Sequence, residues 1–325
     1  MYRSSDGKTR DLVSSMPGAG WDFALNRHPY HEIERPYGPH YCVYNRRLMA
    51  CCFDKLSTEE QKFWYAQADG DFYSWARAHA KGMDVSITDP RVFVSQMQGP
   101  KSFEILAAAS DDGMPEPFTY FGSTTVSFGG QKVVITRTGY TNELGWEYYT
   151  EPHHDATALW EHLKAAGEPY GLQLFGLDAM HIRRIEAGIL NAGSDFDRTT
   201  TPFDAGLGQF VDMDKAEFIG KAALETANTV SRLTGLLCNA EPHIGSEVRV
   251  DGKRVGRVSA GAVSPYLQKG IGIAMLDEIG LQAEAKVTVG CIDGEYHDGE
   301  LAQLPLYDKA CEIPRGKLVD IPVRV

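Results

Sequence analysis

An acid held between two aromatic residues on a strand can read the edge of a flat heterocycle, and Glu147 stands in that setting. It closes the run R-T-G-Y-T-N-E-L-G-W-E from Arg137, with Trp146 before it and Tyr148 after. Val133, Val134 and Ile135 read as a buried strand, followed by a turn at Asn142/Gly145. Trp146 to Tyr149 then read as a second strand, whose alternation puts Glu147 and Tyr149 on one face and Trp146 and Tyr148 on the other. A carboxylate so held suits adjacent N–H donors on a ring, such as a pterin or purine edge. The competing reading is an edge strand with Glu147 in solvent. Tyr140 belongs to the same strand–turn element, where its ring could stack on a flat ligand and its hydroxyl make one hydrogen bond, or where it could be core.

Other groups with chemical potential fall away on spacing. His153-His154-Asp155 lacks any further Cys/His cluster, and adjacent histidines leave a strand end in different directions, so a solvated helix start is expected and no metal site. Asp195, Asp197 and Asp204 read as turn and cap residues. No G-x-S-x-G, H-E-x-x-H, Walker or dinucleotide fingerprint is present. Cys42, Cys51, Cys52, Cys238, Cys291 and Cys311 show no C-x-x-C or metal-ligand spacing and read as reduced thiols.

The elements that must position Glu147 follow an α+β rhythm. Residues 1–61, rich in proline and polar residues, read as a segment wrapping the body. Lys62 opens a strand-like run, Phe72–Lys81 a helix, and Val92-Phe93-Val94 a strand before Q-G-P-K. Asp155 to Ala166 is an amphipathic helix with Asp155 as N-cap, and Asp178 to Ala187 a second helix stopped by Gly188. From residue 232 the pattern changes to short strands with hairpin signals at Asp251-Gly252 and Asp293-Gly294, a β-barrel module after a linker near Thr226–Ser231. The formal net charge of -12, with no Lys/Arg block, argues against nucleic acid as a partner. No run reaches membrane length and the first residues lack a signal-peptide core, so a cytoplasmic location is expected.

Three further segments carry a resemblance: G-L-D-A-M-H-I-R-R-I-E-A-G-I-L from Gly176, D-F-D from Asp195 and T-P-F-D-A-G-L-G from Thr201, followed by F-I-G-K-A-A-L at Phe218. In this order they resemble the tetrahydrofolate-dependent aminomethyltransferase superfamily, which holds the glycine-cleavage T-protein and the folate-dependent demethylases. The likeness runs from about Lys62 to the C-terminus. It implies an α+β fold: a folate-binding antiparallel-sheet body with flanking helices over residues 62–231 and a C-terminal β-barrel over residues 232–325, arranged around a central folate channel. It implies tetrahydrofolate as cofactor, gripped through its pterin by Glu147, with Tyr140 and Trp146 beside it. Gln67 stands where T-proteins carry an Asn next to folate, with the amide one methylene further out. Met180 stands where they carry an Arg serving the folate tail, which leaves Arg183 to reach round instead. Arg184 and Glu186 match the family and are expected to pair with each other.

Two branches of the family divide the functional reading. Y-N-R-R-L-M-A-C-C-F from Tyr44 is similar to the start of dimethylsulfoniopropionate demethylases, which points to methyl transfer from a small sulfonium or methylated amine onto tetrahydrofolate, with Glu147 as a proton acceptor. A pocket of aromatic rings from among Trp64, Tyr65, Tyr140 and Trp146 would favour such a cationic donor. The alternatives are a glycine-cleavage aminomethyltransferase, with a lipoyl carrier protein as partner, and a folate binder without turnover. The entry segment passes almost directly into Lys62, so either a front block bearing the family's catalytic Asp loop is deleted or residues 40–62 align differently. If it is deleted, the channel is open on one side or completed by a second subunit of a homo-oligomer.

Overall fold

Alternating apolar and polar residues build the sheet that carries Glu147. The computed structural model describes residues 2–4, 62–63 and 72–317, apart from 90, 117, 119, 121, 198, 215–217, 219 and 278–279. The expected wrapping segment therefore lies, but for residues 2–4, outside the described residues, as do Trp64, Tyr65 and Gln67. Strands β1 (Tyr2–Ser4), β2 (Lys62–Phe63) and β3 (Val85–Ile87) form a small antiparallel sheet in the order β2-β1-β3, with helix α1 (Phe72–His79) between β2 and β3 in sequence.

The body sheet joins β4 (Phe93–Gln98), β5 (Ser123–Phe128), β6 (Gln131–Thr136) and β7 (Gly145–Thr150) in the antiparallel order β4-β7-β6-β5. Its inner face carries Met97, Val126, Phe128, Val133, Ile135 and Trp146. These pack on Ile105 and Leu106 of helix α2 (Ser102–Ala109) and Leu159 and Leu163 of helix α3 (Ala156–Gly167). Each fully buried side chain of this kind stabilises the fold by about 1.5–3 kcal/mol. Asp155 starts α3 as the sequence indicates, its carboxylate accepting from the Ala158 N–H at 2.9 Å.

Helix α4 (Leu177–Glu186) lies between the body and the barrel, and the chain turns away from it at Gly188, whose φ of 68° is in the left-handed region that glycine enters freely. Its Ile185 is fully buried with Ala260, Ile271 and Ile273 of the barrel. After the short helix α5 (Lys221–Glu225), strands β8 (Leu233–Cys238), β9 (Glu247–Val250), β10 (Lys253–Ser264), β11 (Lys269–Leu276), β12 (Lys286–Gly290) and β13 (Tyr296–Ala302) close into a six-stranded barrel in the order β10-β11-β8-β13-β12-β9. Leu236, Val248, Val258, Val289 and Leu301 fill it. Asp251 and Gly252, with φ of 48° and 76°, make the two-residue turn between β9 and β10. An antiparallel-sheet body with helices and a C-terminal barrel is the fold class that the sequence indicates. Among the described residues, no helix is long and apolar enough to cross a membrane.

Candidate functional site

Strand pairing sets one row of polar side chains across the outer face of the body sheet. Gln96 on β4 and Thr136 on β6 both stand opposite Glu147 on β7, and residues opposite each other in a sheet share a face. Thr136 and Thr138 hydroxyls are 2.6 Å apart, and Thr138 donates to Glu147 Oε2 at 2.5 Å. The Tyr149 hydroxyl lies 3.4 Å from Thr136 Oγ1, so Glu147 and Tyr149 share the face that alternation assigns them. Burial pushes the Glu147 carboxyl above the ordinary carboxylate range, against the opposing pull of hydrogen bonds from Thr138 and Tyr149. Glu147 is only half-exposed at most and faces polar partners, which removes the reading of a solvated edge-strand acid.

The loop from Arg137 to Leu144 is built around Gln98. Its amide donates toward Thr138 O and Trp146 O at 3.3 and 3.4 Å and accepts from Thr141 Oγ1 at 2.8 Å. A Cβ added at Gly139 or Gly145 would come within about 2 Å of that amide, at 2.1 and 2.0 Å. Glycine at both positions thus lets the loop close on Gln98 and aim Thr138 at Glu147. Asn142 takes a left-handed φ of 57°, a conformation that Asn tolerates. Tyr140 donates to Leu190 O at 2.8 Å, which ties the loop to the segment after α4.

The other sequence-derived candidates part company here. Trp146 is 2% exposed and packs on Phe103 and Phe118, with ring centroids 5.9 and 4.9 Å away; it belongs to the core under the sheet, not to the face of Glu147. Arg183 is committed to Glu143 at 2.6 Å and to Glu186, with its guanidinium over the Tyr307 ring. The expected Arg184–Glu186 pair does not form. Arg184 instead meets Asp195 at 2.6 Å, while Glu186 takes Arg183 and the Ser264 hydroxyl. Residues two apart on a helix point in different directions, so Glu186 pairs with Arg183, three residues back, while Arg184 turns to the loop acid Asp195. Asp195, expected as a turn residue, is fully buried and accepts from Arg184, Ser259 and the Asn191 N–H. Asp197 and Asp204 do cap turns, through Thr199 and Thr201.

Helix α4 brings no uncommitted cation to the site. Met180 occupies the position facing Gln96, whose amide nitrogen donates to its sulfur at 3.3 Å. His181 beside it is held toward the neutral form by burial and by the neighbouring Arg184. Among the described residues, no group of three His, Cys, Asp or Glu side chains is placed to hold a metal. His154 is hydrogen-bonded to Glu151 N and Lys132 O. Cys238 and Cys291, far apart in sequence, meet inside the barrel at 3.7 Å as free thiols.

Gln96, Thr136 and Thr138 are site residues that the sequence reading passed over. Period-two alternation back from Gln98 would have put Gln96 on a polar face, but not opposite Glu147, because register is set by the long loop.

Comparison with known proteins places the chain in a family. A model of the GCVT N-terminal domain matches residues 55–215, and one of the glycine cleavage T-protein C-terminal barrel domain matches residues 232–308. Among curated relatives, an aminomethyltransferase of Caldanaerobacter subterraneus subsp. tengcongensis is 36% identical over 223 residues, 65% of this chain and 59% of the relative. An aminomethyltransferase of Clostridium botulinum (strain Okra) is 39% identical over 225 residues, 66% of this chain and 60% of the relative. The chain thus spans about 60% of the length of these relatives. The crystal structure of the glycine cleavage system aminomethyltransferase T from Bartonella henselae has the same fold. Its TM-score is 0.65 at 24% identity, over 73% of this chain and 66% of that one.

Proposed function

The chain belongs to the glycine-cleavage T-protein superfamily, and from that premise we propose that it binds tetrahydrofolate through Glu147 and transfers a one-carbon unit onto it. The observation that carries this reading is Glu147 itself. Its carboxyl is enclosed on a rigid strand, raised toward protonation by burial, and met by hydroxyls where a structural acid would have a cation. A planar ring with an N–H beside an exocyclic amino group offers two parallel donors to such a carboxylate, and those bonds favour its charged form. Thr138 and Tyr149 fix the orientation in which the carboxylate meets the ring. Tyr140, on the loop that closes on Gln98, can stack against it. Tetrahydrofolate supplies the nucleophilic nitrogen, and the chain supplies orientation and an environment with little water.

The donor we favour is an aminomethyl group, transferred with release of ammonia. The two relatives named above are aminomethyltransferases, and the donor in that chemistry would be a lipoyl carrier protein. Demethylation of a sulfonium or methylated amine is the second reading. It rests on the entry segment at Tyr44 and asks for an aromatic pocket. Of the rings proposed for that pocket, Trp146 is in the core, and Tyr140 alone among the described ones stays on the site's loop. Incubating the chain and tetrahydrofolate with an aminomethylated lipoyl carrier, or with dimethylsulfoniopropionate, and weighing the folate product separates the two. Methylenetetrahydrofolate with ammonia supports the first, 5-methyltetrahydrofolate the second. Neither product from a chain that binds tetrahydrofolate would sink both.

A further inference from the structure

Gln96 carries a buried acceptor that nothing among the described residues meets. Its amide nitrogen points at Met180 Sδ, 3.3 Å away and a weak acceptor, while its amide oxygen is buried without a hydrogen-bond partner. Reversing the amide does not relieve this. The oxygen would then lie against a sulfur that has no proton to give, and the NH2 group would be the buried group left unmet. Native chains leave few such groups, and one that persists calls for an explanation such as a ligand or an ordered water. The hydroxyls on the same face cannot serve, since Thr136 and Thr138 are spent on each other, on Tyr149 and on Glu147.

Position says which ligand would meet it. Gln96 is paired directly with Glu147 across β4 and β7, so their Cβ atoms are roughly 5 Å apart on the same face. A carboxylate that takes a ring N–H and one hydrogen of the adjacent exocyclic amino group leaves that amino group's second hydrogen unused. That hydrogen lies in the ring plane and points to the side, away from the carboxylate, where an acceptor next to Glu147 could take it.

We propose that Gln96 is a second ligand-reading residue of this site, its amide oxygen accepting the second hydrogen of the exocyclic amino group whose first hydrogen Glu147 takes. The inference rests on the folate reading of the site and sharpens it. The ligand class is a 2-amino-4-oxo reduced pterin, and the site discriminates against rings that lack the amino group. Met180 is the positioning partner that turns the amide so that its oxygen, and not its nitrogen, faces the ligand.

The test is titration of tetrahydrofolate and of its 2-deamino analogue into the full wild-type chain, Gln96→Leu, Gln96→Met and Glu147→Gln, with melting of each without ligand. The expected result is tetrahydrofolate affinity about 5- to 10-fold weaker in both Gln96 variants, the size of one lost hydrogen bond. That loss should vanish with the deamino analogue, and the unliganded variants should melt at or above wild type because an unmet acceptor has been removed. Wild-type affinity in both Gln96 variants, beside a loss in Glu147→Gln, would overturn the role of Gln96 and leave the folate site standing. Equal losses for both ligands together with lower melting would make Gln96 a packing residue and overturn it too. A wild-type chain that takes up no tetrahydrofolate would remove the folate reading and this inference with it.

Discussion

Glu147→Gln should make the unliganded protein more stable and the liganded one weaker. The side chain keeps its shape, so Thr138 can still donate to the amide oxygen in place of Oε2, at the 2.5 Å contact seen here. What disappears is a carboxylate whose charged form is disfavoured by burial. The sign follows from linkage. An acid whose pKa is raised by folding holds its proton longer in the native state, so the penalty is absent below the ordinary carboxylate range. It grows as pH rises through the raised value. The variant should therefore melt like wild type in acid and above it at neutral pH, by a margin on the order of 1–3 kcal/mol of unfolding free energy. Binding should move the other way. Two charge-assisted bonds at about 1.5–3 kcal/mol each are at stake. The glutamine turns an N–H2 toward a ring donor where an oxygen accepted before, so a loss of about 3 kcal/mol or more is expected, a weakening of roughly 100-fold or greater. Calorimetric titration with tetrahydrofolate and melting between pH 5 and 8 measure both. A variant that melts below wild type at neutral pH and binds normally would refute the reasoning, because the carboxylate would then be structural.

Arg184→Met leaves the fully buried Asp195 without its cation, and denaturant unfolding should register a loss of about 3–5 kcal/mol. Adding Asp195→Leu to it should restore a large part of that loss, since the stranded charge is gone. Removing the α3 cap with Asp155→Ala should lower stability by about 1 kcal/mol in the same assay and leave tetrahydrofolate affinity unchanged, because α3 packs on the opposite face of the sheet from Glu147. Burial pushes the Cys291 thiol up to about 12, with Cys238 beside it as a further cause. Alkylation at pH 8 followed by peptide mass mapping should find both thiols unmodified in the native chain and modified after unfolding.

The parts of the site that the sequence disclosed are those set by short-range rules. Two-residue alternation put Glu147 and Tyr149 on one face and Trp146 on the other, and the structure agrees. The Asp155 cap and the Gly188 stop gave the ends of α3 and α4 to within a residue or two. Asp251-Gly252 marked its hairpin because only a few residues accept a positive φ at both positions. Most of the failures are partnerships that no local pattern encodes. Arg184 met Asp195, not Glu186, and Asp195 in turn met Ser259 of the barrel, 64 residues on. Gln96 met Glu147 through a register that no local pattern encodes. Trp146 was placed correctly by face but assigned to the ligand because an aromatic beside an acid reads alike whether it stacks on a ring or fills a core.

Titration of tetrahydrofolate into the wild-type chain at pH 6.5, in two buffers of different ionisation heat, is the most direct test of the folate site. Ring donors that favour the charged Glu147 should give saturable binding with net release of protons, and affinity should rise as pH is raised. Absence of binding, or binding with proton uptake, would contradict the role given to Glu147.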